Sequence, residues 1–126
     1  MEIQPRRPTG RGPAEYFAGD VLIDPVLQST TSGLAVNEVR FSPGARTAWH
    51  AHGKGQTLVV TDGEGRVQTR GEGAVAIRAG DVVLTPADEW HWHGAAPDRY
   101  MAHLSITEGG IEWGDQVTDA DYGAAG

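Results

Sequence analysis

Five histidines give this chain its clearest chemical signature, because they fall in three short segments. They are His50 and His52, His91 and His93, and His103. Two of the segments are His-x-His pairs, and residues two apart in a β-strand point to the same face of the sheet. Imidazole is the commonest protein ligand for transition metals and also carries protons in catalysis. The pattern therefore predicts a metal or catalytic cluster, with zinc, iron, manganese, nickel and copper all open.

Short β-strands are the elements that the sequence predicts around these histidines. Polar and apolar residues alternate, as from Arg66 to Arg70, which is typical of a half-buried strand. Turn signals follow one another closely at Asp62-Gly63, Gly71-Glu72-Gly73 and Gly80-Asp81. Such spacing suits antiparallel strands and leaves no room for crossover helices. We expect a single all-β domain closed as a small barrel or jelly roll, with one helical turn in the tail and Thr118 as its N-cap.

The N-terminal residues differ in composition from the rest of the chain. Residues 1–14 are rich in proline, arginine and glycine, which disfavour both helix and strand. We therefore expect an irregular N-terminal arm over residues 1–14 and the barrel domain over residues 15–126.

The overall composition excludes several classes of protein. The chain has 126 residues and no cysteine, so disulfides, thiolate nucleophiles and thiolate metal sites are excluded. Its formal net charge of −7 is expected to repel nucleic-acid phosphates and anionic membranes. No apolar run approaches the length of a membrane span. We expect a cytoplasmic protein that acts on a small molecule and binds neither nucleic acid nor membranes.

The spacing around the histidine pairs is similar to two known sequence motifs. The first runs through Gly44, His50, His52, Gln56 and Gly63, and the second through Gly80, Pro86, Asp88 and His91. Together they resemble the two motifs of the cupin superfamily, over residues 34–107. The resemblance implies a single-domain cupin, which is a double-stranded β-helix or jelly-roll barrel. It also implies that each chain holds one divalent transition metal through His50, His52, Gln56 and His91.

Two positions depart from the usual cupin motifs. Gln56 stands where the first motif usually has glutamate, and a neutral amide leaves the metal site more positive, which makes a stronger Lewis acid. The alternative is that Gln56 only hydrogen-bonds nearby while a water takes the ligand position. Asp88 stands at a usual turn glycine, which aspartate can replace because it tolerates left-handed backbone geometry.

A narrower resemblance is to the bacterial cupin hydroxynitrile lyases. It rests on the stretches Pro43–His50, Gly55–Leu58, His91–Ala95, Ile23–Pro25 and Val117–Asp119. Members of that family use manganese to cleave cyanohydrins such as mandelonitrile into an aldehyde and cyanide. The resemblance implies Mn²⁺ in this chain, with Fe²⁺, Zn²⁺ or Ni²⁺ as alternatives. It also implies catalytic roles for His93, His103 and Thr47.

The chemistry of cyanohydrin cleavage indicates a catalytic role for each of these three residues. The reaction needs a base for the hydroxyl proton, a Lewis acid for the oxygen and a proton donor for cyanide. We take His103 as the first choice of base and His93 as the group that protonates cyanide, with the two roles exchangeable. The resemblance places the Thr47 hydroxyl near the substrate oxygen. The alternatives are a structural histidine at position 103 and a threonine kept at position 47 for its strand propensity.

Strand alternation also predicts which residues contact the substrate. Asn37, Val39 and Phe41 share one face of a strand, and Thr107 shares a face with His103, so these four residues are expected to line the cavity. The tryptophans at positions 49, 90 and 92 point away from the histidines. Such an outer aromatic face packs a second sheet or a neighbouring subunit, which favours a homodimer or homotetramer.

Two other functions are compatible with the same residues. An iron-dependent dioxygenase is one, since three histidines and one oxygen donor can hold Fe²⁺. A metal-dependent module that binds a small molecule without turnover is the other. Oxygen uptake separates the first from a lyase, and turnover assays separate the second.

Overall fold

The computed structural model describes residues 1–123, which form twelve β-strands and one short helix. The all-β class predicted from the sequence is confirmed. The elements are β1 (Gly10–Arg11), β2 (Phe17–Ala18), β3 (Val21–Gln28), β4 (Ala35–Phe41), β5 (Arg46–Thr47), β6 (His50–His52), β7 (Gln56–Thr69), β8 (Val75–Arg78), β9 (Val82–Thr85), β10 (His91–Ala95), β11 (Met101–Thr107), β12 (Ile111–Trp113) and α1 (Asp119–Gly123).

The strands join in one curled antiparallel sheet whose two halves share β7. The order along its main path is β1-β3-β4-β11-β7-β10-β5-β2. The first part of β7 pairs with β11 and β9, and its second part pairs with β10 and β8. In the second half, β6 pairs with β10 and with β12. The long strand β7 therefore joins the two walls of the barrel.

The bend in β7 lies at Gly63, where the sequence predicts a turn. That prediction is wrong, because Asp62–Gly63 lies inside the strand and the chain bends there without reversing. Gly63 has a φ of 75°, and a Cβ at this position would lie 1.9 Å from the carbonyl oxygen of Tyr100. Glycine is therefore required for the bend. The turns predicted at Gly71–Gly73 and Gly80–Asp81 are confirmed, and they connect β7 to β8 and β8 to β9.

Strand pairing begins before the end of the predicted N-terminal arm. Gly10 and Arg11 of β1 pair with Ile23 and Leu22 of β3. The expectation of irregular structure is therefore wrong for these two residues, because the backbone of β3 offers an edge that a strand can join without help from side chains. The division into an arm over 1–14 and a barrel domain over 15–126 stays a prediction.

Apolar side chains from both walls fill the interior of the barrel. The buried cluster consists of Val21, Val39, Phe41, Ala45, Val60, Ile77, Ala95 and Met101. Phe41 connects this core to the histidines, since the centroid of its ring lies 5.9 Å from that of His93 and 5.3 Å from that of His103.

The C-terminal tail covers the outer aromatic face of the barrel. A second buried cluster consists of Trp49, Trp92, Val117 and Tyr122. The Tyr122 hydroxyl donates to the carbonyl oxygen of Ala95 at 2.5 Å, and Thr118 Oγ1 accepts the backbone N–H of Asp121 at 3.1 Å, which confirms the predicted N-cap. Because the chain itself covers Trp49 and Trp92, these residues no longer argue for a subunit interface, and the oligomeric state stays a prediction. Within residues 1–123, no helix has the length and apolar character needed to cross a membrane.

Candidate metal and active site

Three strands bring the four predicted metal ligands together inside the barrel. β6 carries His50 and His52, β7 begins with Gln56, and β10 begins with His91. His50 and His91 are direct partners in the pairing of β6 with β10, and their ring centroids lie 4.3 Å apart. The ring of His52 lies 5.1 Å from that of His50. All four side chains are buried.

Backbone carbonyls orient two of these imidazoles. Nδ1 of His50 lies 2.9 Å from the carbonyl oxygen of Ala48, and Nδ1 of His91 lies 2.8 Å from that of Glu89. Since a carbonyl oxygen can only accept, each Nδ1 carries the proton and each Nε2 keeps a free lone pair. Metal-ligating histidines are commonly held in this way, by a hydrogen bond from the nitrogen that does not bind the metal.

The remaining donors also fit a metal ion. Nε2 of His52 is buried and has no hydrogen-bond partner in the described part of the chain. Gln56 Nε2 donates to the hydroxyl oxygen of Ser105 at 2.9 Å, which leaves Gln56 Oε1 facing Nε2 of His91, also at 2.9 Å. Two lone pairs that face each other are stabilised by a shared cation. Three imidazole nitrogens and one amide oxygen are a suitable donor set for a divalent transition metal.

His93 lies close enough to form a second candidate group. Ring nitrogens of His50, His91 and His93 all lie within 4.8 Å of one another, so these three histidines could hold a metal ion as well. The motif spacing assigns His52 rather than His93 as the third histidine. Nε2 of His52 has no hydrogen-bond partner among the described residues, whereas Nδ1 of His93 lies 3.0 Å from Nε2 of His103.

His93 and His103 form a hydrogen-bonded pair beside this cluster. Nδ1 of His93 lies 3.0 Å from Nε2 of His103. Nε2 of His93 is buried without a partner among the described residues, and His93 lines the cavity. His103 is fully buried behind it. His103, the first choice of base from the sequence, therefore lies behind His93 and does not line the cavity, whereas His93 does.

Burial keeps the histidines of the site neutral. It lowers the pKa of His50 to about 3 and those of His52 and His103 to about 4. Burial also lowers the pKa of His91 and takes the pKa of His93 well below its usual value. Neutral imidazole is the form that binds metals and accepts protons.

A cavity of about 360 Å³ opens onto the cluster. Asn37, Val39 and Thr107 line it, as the sequence predicts, and so does Thr47. Phe41 is placed differently: it is 1% exposed and belongs to the apolar core. Contrary to the prediction, Phe41 does not line the cavity, because its ring packs in the core against His93 and His103.

The cavity also has an aromatic wall that the sequence did not reveal. This wall consists of Tyr16, Phe17 and Trp113. The rings of Tyr16 and Trp113 stack at a centroid distance of 4.4 Å, and Trp113 lies 5.0 Å from the ring of His50. These residues come from chain segments far apart in sequence, so motif spacing could not identify them. Their aromatic residue type was the one signal in the sequence. Among the described residues, none that lines the cavity is Asp, Glu, Lys or Arg, so the cavity suits a small uncharged molecule.

Comparisons with known proteins agree with this architecture. Residues 37–107 match the family model described as the cupin domain. The chain is 47% identical over 119 residues to a protein named (R)-mandelonitrile lyase from Granulicella tundricola. The aligned region covers 90% of this chain and 91% of that protein.

Solved structures give the same result. A cupin-like protein from Thermotoga maritima has a TM-score of 0.90 and 38% identity, over 99% of this chain and 97% of that one. The polyketide cyclase RemF from Streptomyces resistomycificus has a TM-score of 0.74 and 15% identity, over 97% and 90% of the two chains. The second similarity shows a shared fold alone.

Proposed function

Because this chain belongs to the cupin family, and its structural neighbours confirm the predicted jelly-roll fold, we propose that it is a metal-dependent hydroxynitrile lyase. Such an enzyme cleaves a cyanohydrin into an aldehyde and hydrogen cyanide, or joins the two. The observation that carries the proposal is the buried Nε2 of His93, which has no hydrogen-bond partner within residues 1–123 and lies in the same cavity as the neutral ligand cluster. The extended similarity to an (R)-mandelonitrile lyase supports the choice of reaction.

One divalent metal per chain, which we propose is Mn²⁺, is held by His50, His52, Gln56 and His91. When bound, the ion supplies Lewis acidity to an oxygen atom that gains negative charge. The three histidines are neutral because they are buried, and the amide of Gln56 carries no charge. The ligands therefore leave the positive charge of the site uncompensated.

His93 moves the proton in this proposal. When the Nδ1–H group of His93 donates a hydrogen bond to Nε2 of His103, Nε2 of His93 keeps a lone pair. That lone pair can accept the hydroxyl proton of a cyanohydrin. As the carbon–carbon bond breaks, its electron pair leaves with cyanide, the hydroxyl proton passes to His93, and the oxygen becomes the aldehyde carbonyl. The proton then passes from His93 to cyanide, which leaves as hydrogen cyanide. His103 keeps His93 in place through the 3.0 Å contact.

Thr47 is suited to hold the substrate oxygen. Its Oγ1 accepts the backbone N–H of His93 at 3.3 Å and lies 3.4 Å from Nδ1 of His50. The backbone N–H of His93 is a donor, and Nδ1 of His50 carries the proton that it donates to Ala48 and cannot accept, so the Thr47 hydroxyl proton is free to be donated to a molecule in the cavity. The aromatic wall offers ring faces to an aryl substituent, and Asn37, Val39 and Thr107 limit its size and orientation.

A second candidate function is an iron-dependent dioxygenase, which the donor set of three imidazoles and one oxygen also favours. A third is a binding module without turnover. A homodimer or homotetramer and a cytoplasmic location stay predictions, and light scattering on the purified protein tests the oligomeric state.

The test combines metal analysis with cyanide release from mandelonitrile, corrected for spontaneous decomposition. We expect one manganese ion per chain and turnover that is lost on chelation and restored by Mn²⁺, with Fe²⁺, Zn²⁺ and Ni²⁺ compared in parallel. In the alternative outcome, protein loaded with manganese or iron releases cyanide no faster than the buffer blank and consumes oxygen with a phenolic compound. That result would identify a dioxygenase instead. Metal binding without either reaction would support the binding module.

A further inference from the structure

The amide of Gln56 depends on a partner that the ligand motif does not contain. Gln56 is 4% exposed, and its Nε2 donates to Ser105 Oγ at 2.9 Å. Its Oε1 points to the opposite side, 2.9 Å from Nε2 of His91. The amide thus has its oxygen toward the predicted ligands and its nitrogen toward Ser105.

The pairing of β11 with β7 places Ser105 at this point. In the register of the two strands, Thr107 lies opposite Gln56 and Ser105 lies opposite Leu58. Ser105 is therefore a diagonal neighbour of Gln56 on the same face of the sheet, within reach of its side chain. Ser105 is 7% exposed and lines the cavity.

We propose that Ser105 is a positioning residue for metal binding, because it supplies the acceptor that Gln56 needs in its ligating orientation. An amide can offer a cation only its oxygen, so its N–H groups must then point away from the metal. In a buried site, an N–H group without an acceptor carries a desolvation penalty. Ser105 removes that penalty. The inference rests on the metal site of the proposed function, and it does not depend on the lyase reaction.

If Ser105 positions Gln56, the effect of losing its hydroxyl depends on which residue stands at position 56; a merely structural role predicts the same effect with either residue. A glutamate at position 56 has two oxygens and no N–H group, so it needs no acceptor from Ser105. Loss of the Ser105 hydroxyl should therefore weaken metal binding when residue 56 is glutamine and have little effect when it is glutamate.

The experiment measures the affinity for Mn²⁺ alone, by competition with a fluorescent chelator, for the wild type, Ser105→Ala, Gln56→Glu and the double variant. We expect Ser105→Ala to weaken Mn²⁺ binding about 10- to 100-fold, as is common when a group that orients a ligand is removed. In the Gln56→Glu background, the same change should cost less than about threefold. Binding by the double variant also shows that a chain lacking the Ser105 hydroxyl folds.

Thr57→Val is the matched control, since it removes a hydroxyl from the residue next to Gln56 on the opposite face of β7, and its Mn²⁺ affinity should stay close to that of the wild type. Equal affinity of Ser105→Ala and the wild type would overturn the proposal, and so would equal losses in both backgrounds or in Thr57→Val. If the wild type itself fails to bind Mn²⁺, the metal site of the proposed function is wrong and the role of Ser105 falls with it.

Discussion

Replacing His93 and His103 singly and together tests which imidazole moves the proton. His93 lines the cavity, and His103 lies behind it at 3.0 Å. A positioned general base contributes about 100- to 10,000-fold to the rate, or about 3–5 kcal/mol. We therefore expect His93→Ala to lower kcat for cyanide release from mandelonitrile by at least about 100-fold.

His103 should have a smaller effect, because it acts through its contact with His93. Removing one partner of a buried hydrogen bond costs about 1–3 kcal/mol, which corresponds to roughly 5- to 150-fold in rate. The two residues work as a unit, so the double variant should be no slower than His93→Ala alone. His103→Gln keeps a hydrogen-bonding group beside His93 and should recover most of the rate if His103 only positions its neighbour.

The assay compares initial rates after subtraction of the buffer blank, at equal manganese content. Thermal unfolding is measured alongside, since His103 is fully buried and its truncation leaves a cavity. If His103→Ala abolishes turnover while His93→Ala keeps most of it, His103 is the base and the reasoning from the cavity is wrong. If the two losses multiply in the double variant, the residues act independently.

Three further predictions concern the ligands and the stability in acid. His52→Ala should lower the manganese content measured by mass spectrometry, whereas His93→Ala should keep it, and the reverse would make His93 the ligand. Gln56→Glu should keep the metal but slow cyanide release, because a carboxylate offsets the charge that stabilises the developing oxyanion; an unchanged kcat at equal metal content would contradict this role. The metal-free protein should lose stability as the pH falls from 6.5 toward 4, because burial lowers the pKa of His103 to about 4 and only the unfolded chain takes up its proton in that window. The loss from His103 is about 2 kcal/mol at about pH 5, and urea midpoints that stay constant down to that pH would count against it.

Local signals in the sequence predicted much of the fold. Strand alternation gave the all-β class, and the side chain of Thr118 caps α1 as expected. Asp88 has a φ of 63°, which agrees with the left-handed geometry predicted from its place in the second motif. Each of these features depends on residues within a few positions of one another.

Depth within the barrel could not be predicted in the same way. Alternation assigns a residue to a face, but it does not say how far that face lies from the cavity. Phe41 and His103 share faces with residues that line the cavity, yet both lie beneath it, and His93 stands between His103 and the open space. The curl of the sheet sets this depth, and it brings β7 so close to Tyr100, a residue far along the chain, that no Cβ would fit at Gly63. The covering of Trp49 and Trp92 by the tail is likewise a long-range contact.

The neutrality of the site links its geometry to the proposed chemistry. In a buried environment of low effective dielectric, positive charge that the ligands leave uncompensated stabilises an adjacent negative charge more strongly than it would in water. Cleavage of a cyanohydrin develops negative charge on oxygen and on cyanide, so a site without a carboxylate ligand favours that transition state. Glu89, whose backbone carbonyl orients His91, has its carboxylate engaged with the Thr69 hydroxyl at 3.1 Å. In the proposed metal site, Gln56→Glu would add a carboxylate to the ligand set, and Ser105 accepts the N–H that the neutral amide of Gln56 would otherwise leave without a partner.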